Sequence, residues 1–154
     1  SQIAKMTVWA AEVIRRFGIV PHTALLSSSN FGSRDVPSAR KMREALALIR
    51  AAAPDLEVDG EMTAEVALSQ EGRARVIQDS PLKGAANLLI MPTLDAANIA
   101  LNLLREMGQG QRVGPMLLGM AKPVHVLDPS TTVRGIVNMT AICAVDAMAA
   151  SFGS

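Results

Sequence analysis

Three stretches of the chain carry residue types able to do chemistry. The first, "LSSSNFGS" over residues 26–33, follows a β-like run and precedes a helical one. Serine hydroxyls and backbone N–H groups at such a junction suit an anion, because a helix N-terminus adds partial positive charge. The stretch matches neither the Walker pattern nor the G-x-G-x-x-G fingerprint, so on pattern alone a plain strand-to-helix loop is favoured over an anion site. The second stretch, "DLEVDGE", places Asp55, Glu57, Asp59 and Glu61 on one face if it is extended. Carboxylates so arrayed could collect a hard cation, but the calcium loop requires a helix–loop–helix frame and a terminal bidentate Glu. A solvated strand face ending in an Asp-Gly turn is therefore expected.

The two histidines, His22 and His125, are the third possibility. They lie far apart with no cysteine or acid at ligand spacing, which argues against a zinc or other metal site. His22 follows Pro21 where a strand begins and reads as a turn or surface residue. Ser27 to Ser29 lack the G-x-S-x-G elbow of a serine hydrolase.

The elements that must position these residues follow from periodicity. Ile3, Met6, Trp9/Ala10, Val13 and Phe17 form an amphipathic stripe that predicts a first helix closed by Gly18. Thr23 to Ser28 reads as a short strand, and Pro37 starts a second helix whose buried stripe is Met42, Ala45, Leu46 and Ile49. Pro54 stops it. Leu56 to Met62 alternates apolar and acidic residues like a half-exposed strand, and Thr63 caps a weakly patterned helix over about 64–76. "NLLIMP" is the clearest strand. Thr93 caps a helix with Asp95 in its first turn, Gly108 ends it, and "QGQR" is a loop. Pro115 to Leu118 and Val124 to Leu127 are two short β candidates separated by "GMAKP", before a long helix over about 132–150. Strands alternating with helices indicate an α/β fold, a layered and largely parallel sheet flanked by helices.

Bulk properties narrow the function. With 154 residues and 49% apolar content, the chain builds one compact domain or part of a larger one. Fifteen basic against 14 acidic residues leave a charge of +1, and aromatics are 3% with no Tyr, so neither phosphate neutralisation nor base stacking supports nucleic-acid binding. Cys143 is the single cysteine, which excludes an internal disulfide and points to a reducing compartment, the cytoplasm. The most apolar stretch, Ile136 to Ala150, is broken by Asn138, Thr140 and Asp146 and is shorter than the roughly 20 residues a membrane span needs. It predicts a buried or interface helix and no membrane partner. Nine methionines are scattered through the core stripes, where they fill irregular gaps. The opening "SQIA" enters helical periodicity without an initiator Met, which suggests a segment of a longer protein.

Taken together, "FGIVPHTALLSSSNFGS", "PDLEVDGEM" and "GPMLLGMAKPVHVL" resemble, in order and spacing, the second half of the phosphotransacetylase family. Within that family, "ALLSSSNFGS", "MPTLDAANIALNLL" and "AKPVHVLDPSTTVRGIVNM" look most like the C-terminal phosphotransacetylase-like domain of bacterial hybrid NADP-dependent malic enzymes. The resemblance implies the second half of a two-lobed domain, with residues 1–120 as the second lobe and 121–154 as a strand and helix returning to the absent first lobe. It also implies an N-terminal malic enzyme part in the same chain, which would oxidise and decarboxylate malate with NADP and a divalent cation, Mg or Mn. No cofactor is expected in this segment. Acetyl-CoA is the implied effector, and a homo-oligomer the implied assembly.

Active family members resemble one another in "P-(V/I)-N-D-L-S-R-G" followed by an Asp before "I-V-N". Here the chain reads "PVHVLDPSTTVRGIVN", so Asp128 and Pro129 take the Ser-Arg positions and Gly135 the Asp position. A negative charge and a donorless ring then stand where phosphate is held, and the base is gone. Glu106 aligns with a family Arg, with Arg105 beside it. The resemblance thus implies no catalytic residues in this segment, and Ser27, Ser28, Ser29, Asn30 and Ser33 as effector contacts. An authentic phosphate acetyltransferase and a purely structural dimerisation module are the alternatives.

Overall fold

The structure, a computed structural model, describes residues 1–108, 113–127, 129 and 131–151. Helices and parallel strands alternate: α1 (Gln2–Arg16), β1 (Thr23–Leu26), α2 (Pro37–Ala52), β2 (Val58–Met62), α3 (Ala64–Leu68), α4 (Gln70–Val76), β3 (Leu88–Ile90), α5 (Leu94–Gly108) and α6 (Val133–Ser151). The sheet order is β2-β1-β3, with both pairings parallel, so the expected α/β architecture is the one observed. By packing the chain forms two units, residues 1–100 and 101–154.

The first unit is built on the two faces of β1. Because strand side chains alternate, Leu25 joins Met42, Ala45, Ile49 and Val58 on one side, while Ala24 and Leu26 join Met62, Val66, Ala67 and Leu82 on the other. The predicted stripe of α2 is buried, and Pro37 occupies the first turn, where its missing N–H costs nothing.

Other expectations need correction. In α1 the buried residues are Ala4, Thr7 and Ala11, whereas Met6, Trp9 and Phe17 are exposed. Small residues let α1 lie close to its neighbours, and Thr7 satisfies its hydroxyl on the Ile3 carbonyl at 2.8 Å. Strand β1 ends at Leu26, which leaves Ser27 and Ser28 in the loop. The single helix expected over 64–76 is two, because Ser69 adopts an extended backbone and caps α4 by accepting from the Gly72 N–H at 2.9 Å.

The half-exposed β2 is instead buried along its length, Asp59 and Glu61 included. Its register explains part of this. Leu25 pairs with Gly60 and Leu26 with Met62, so Glu61 is an extra residue that bulges from the ladder and breaks the alternation. Gly60 permits the approach: a Cβ there would sit 2.6 Å from the Leu25 carbonyl oxygen, at φ +140.

In the second unit, the two β candidates reduce to an isolated antiparallel bridge between Met116 and His125. Pro115 and Pro123 lack the N–H that a longer ladder requires. The "QGQR" loop lies outside the described residues. Helix α6 begins where Thr132 Oγ1 accepts from the Gly135 N–H at 3.1 Å. Among the described residues, no helix is long and apolar enough to cross a membrane.

Candidate functional site

In an open α/β sheet, ligands bind beyond the C-terminal strand ends where the strand order reverses. Here β1 leads through α2 to β2 on one side, and β2 then crosses to β3 on the other, so the reversal falls between β1 and β3. The segment after β1 is the serine-rich loop, and the segment after β3 is Met91 to Thr93, with Thr93 Oγ1 capping α5 by accepting from Ala96 N–H. At the opposite, N-terminal end of the strands, a hollow of about 410 Å³ is lined by Arg15, Val20, Asp55 and Glu57 among others. Its Glu57 is already engaged by His22 Nδ1 at 2.6 Å and the Lys83 N–H.

The loop contains an anion, and that anion belongs to the chain. Three donors converge on Glu61 Oε1: the Ser29 hydroxyl at 2.8 Å, the Gly32 N–H at 2.9 Å and Arg43 Nη1 at 3.0 Å. The backbone of the same residue takes part, since the Phe31 N–H donates to the Glu61 carbonyl at 2.8 Å. Burial pushes the Glu61 carboxyl up. The hydrogen bonds from Gly32, Ser29 and its own backbone N–H, with the Arg43 charge, outweigh that penalty and hold it below its ordinary value.

The five predicted loop residues divide accordingly. Ser29 is buried and its hydroxyl also accepts from the Arg34 N–H at 3.0 Å. Asn30 reaches back to the chain after β2, its Oδ1 accepting from the Thr63 N–H at 2.7 Å, and Ser33 Oγ accepts from the Asn30 N–H at 2.9 Å. These three shape the loop. Ser28 is exposed, and Ser27 Oγ is buried without a hydrogen-bond partner among the described residues.

The acidic stretch does not converge on a cation. Asp59 Oδ1 meets Arg50 Nη2 at 3.0 Å and Oδ2 accepts from Ser80 Oγ at 2.6 Å, while Asp55 is exposed. Of the expected solvated face, Asp59 and Glu61 are buried and answered by two arginines of α2, while Asp55 stays exposed.

Sequence reading missed Glu61 as a loop ligand, and missed Arg43 and Arg73 altogether. Arg43 and Arg50 stand seven apart on the helix facing β2, a spacing that marks one face and could have revealed the pairing. Arg73 is buried with its guanidinium donating to the carbonyls of Val66, Ala67, Leu82 and Gly84. It ties the loop before β3 to α3.

The positions compared with active transacetylases lie in or beside the second unit. Asp128 is outside the described residues. Pro129 is an exposed turn residue, and Glu106 is exposed on α5, paired with its neighbour Arg105 at 3.0 Å. Gly135 is packed: a Cβ there would lie 2.8 Å from Thr131 Cγ2. His125 is nearly enclosed, its Nδ1 accepting from the Leu117 N–H at 3.3 Å and its Nε2 3.7 Å from Asp146 Oδ2.

Comparison with known proteins places this geometry. The family model described as phosphate acetyl/butaryl transferase matches residues 1–144. The chain is 58% identical to an NAD-dependent malic enzyme of Rhizobium meliloti, over 94% of this chain and 19% of that protein. It is 54% identical to the NADP-dependent malic enzyme of Escherichia coli, over 95% of this chain and 19% of that protein. A phosphotransacetylase from Streptococcus pyogenes superposes with a TM-score of 0.90 at 34% identity, covering 95% of this chain and 44% of the other. The chain therefore spans about a fifth of the malic enzymes it matches and under half of the solved transacetylase.

Proposed function

We propose, for a chain that belongs to the phosphate acetyl/butaryl transferase family, that it is the C-terminal regulatory and oligomerising domain of an NADP-dependent malic enzyme. The observation that carries this reading is the near-complete match of the chain to one fifth of two malic enzymes. On this reading an N-terminal part converts malate to pyruvate by oxidative decarboxylation with NADP and Mg or Mn. This domain binds acetyl-CoA, transfers no acetyl group, assembles the homo-oligomer and works in the cytoplasm.

Two features of the second unit support silence toward acetyl transfer. Pro129 offers no side-chain donor to a phosphate, and Gly135 offers no carboxylate to take the thiol proton. A Cβ at 135 would begin 2.8 Å from the methyl group of Thr131, so a carboxylate there would require that side chain to turn away. For the effector, Ser28 offers an exposed side chain just past the C-terminal end of β1, beside the buried and unpartnered Ser27 hydroxyl. Regulation requires acetyl-CoA to bind one state of the assembly better than another, since equal affinity shifts nothing. For assembly, α6 exposes Val133, Ile136, Val137, Val145 and Met148, and a helix apolar on several sides is built for burial.

A titration of the full-length protein tests the reading. Calorimetry with acetyl-CoA is expected to give saturable binding, and malate turnover is expected to change over the same concentration range, with NADP preferred to NAD. Acetyl phosphate formed from acetyl-CoA and phosphate would establish instead an authentic transacetylase, the reading that the family and the solved neighbour favour. No acetyl-CoA binding with an intact oligomer would leave a structural dimerisation module.

A further inference from the structure

The serine-rich loop has the donors of an oxyanion site, and we propose that Glu61 is its resident ligand, tethered to the chain, which closes the loop to free small carboxylates and phosphate. This inference stands on the loop's geometry and holds whatever the parent enzyme is.

The convergence on one oxygen is the central observation. A hydroxyl, a backbone N–H and a guanidinium all lie 2.8–3.0 Å from Glu61 Oε1, an arrangement that would suit an oxygen of any small oxyanion. Glu61 is fully buried, and its charge there rests on these donors at Oε1, since Oε2 has no hydrogen-bond partner among the described residues. The loop backbone is shaped to the same end. Phe31 holds φ 47, unusual for a residue with a side chain, and its N–H is spent on the Glu61 carbonyl while its side chain packs against the apolar cluster on that face of β1. Gly32 follows at φ +88 and turns its N–H onto the carboxylate.

The bulge in β2 supplies the ligand. An unbroken register would leave residue 61 paired across the ladder; the extra residue frees it to turn toward the loop. Arg43 then links this internal anion to the surface, because its Nη2 lies 3.2 Å from the exposed Asp35. The consequence for any ligand at the sheet's C-terminal edge is specific. Its phosphate does not reach the Ser29 hydroxyl or the Gly32 N–H, which are occupied, and the exposed serine it meets is Ser28.

Removal of the tether should expose the site. In the full-length protein, Glu61→Ala leaves three donors around a space the size of a small carboxylate. Thermal unfolding of that variant, read with acetate or phosphate replacing chloride at constant ionic strength, is expected to show a saturable rise of several degrees, by preferential binding to the folded state. Wild type is expected to show none. A folded variant that gains no more from acetate or phosphate than from chloride overturns the proposal, as does an equal gain in wild type.

Glu61→Gln serves where Glu61→Ala fails to fold, because it keeps the shape and one acceptor. A carboxyl held below its ordinary 4.5 in the folded state adds stability that is complete above that value and lost as pH falls through the lowered one. Wild type should therefore lose stability across that acid window, and Glu61→Gln should lack this component. Identical acid unfolding of the two proteins would refute the charge-based closure. Weak acetyl-CoA binding with normal acetate rescue would count against the effector reading alone.

Discussion

Between Ser1 and Ala100, the charged side chains that folding buries are answered by name: Asp59 by Arg50 and Ser80, Glu61 Oε1 by Ser29, Gly32 and Arg43, and Arg73 by four carbonyls, while Thr23 Oγ1, Ser27 Oγ and Glu61 Oε2 are buried without a hydrogen-bond partner among the described residues. Between Leu101 and Ser154, among the described residues, only Met139 is a buried apolar residue, while Met107 and Val133 are about four-fifths exposed. Both regions have apolar sequence, so composition does not separate them. The difference is whether the chain supplies the second surface. In the first unit each strand face has helices against it, and arginines and serines meet its buried carboxylates. In the second, α6 carries apolar residues on several sides without matching cover. A domain whose buried charges are met from within can specify its own fold, whereas apolar helices without cover call for another surface.

That contrast can be broken most forcefully at Arg73. Arg73→Met keeps much of the stem but removes one donor from each of four carbonyls; Ala67 keeps the Ala86 N–H, and each buried acceptor left without a donor costs about 1–3 kcal/mol. After partial rehydration the loss should be on the order of 4 kcal/mol by urea unfolding of the full-length protein. Lys at 73 should recover little of it, because a single ammonium cannot reproduce the planar fork. A loss under about 1 kcal/mol would mean the clasp is not what orders the loop before β3, and the first unit would then be less self-specified than its contacts imply.

A pair of glycines sharpens the same point at lower cost. Gly60→Ala places a methyl group 2.6 Å from the Leu25 carbonyl oxygen and 2.9 Å from its Cβ, so the strands must part. Roughly 3 kcal/mol is expected, from overpacking and an unfavourable φ together. Gly84→Ala meets nothing within 4 Å at φ +83, so conformational strain acts alone and about 1 kcal/mol is expected. Equal losses would show that backbone conformation, and not the close approach of β1 to β2, sets the cost at Gly60.

Legibility in the sequence followed how locally each feature is decided. The stripe of α2, the Thr93 cap and the strand in "NLLIMP" depend on neighbours within a few residues, and periodicity reached them. The buried face of α1 did not follow hydrophobicity, because close packing selected Ala4, Thr7 and Ala11 over Met6 and Trp9. Alternating acids in β2 looked solvated, since nothing local announces that Arg43 and Arg50 arrive from another element. Seven helical residues advance about 10.5 Å and two strand residues about 6.7 Å, a mismatch that long arginine side chains absorb. In the serine loop the sequence offered anion-type donors but favoured a plain strand-to-helix loop, and Glu61 was not legible as their acceptor, because it lies across a bulge some thirty residues away.

The gentlest substitution tests the other half of the contrast. Val137 on α6 is 61% exposed, so Val137→Lys should change the domain's own unfolding free energy by less than about 0.5 kcal/mol. If another surface covers α6, the same charge would be desolvated there, and sedimentation of the full-length protein should shift toward smaller species. Unfolding unchanged with smaller species would place the missing cover between subunits. Unfolding weakened with assembly intact would place it within one polypeptide. If neither measurement moved, α6 would be a solvent-facing helix despite its composition, and the comparison between the two units would lose its physical meaning.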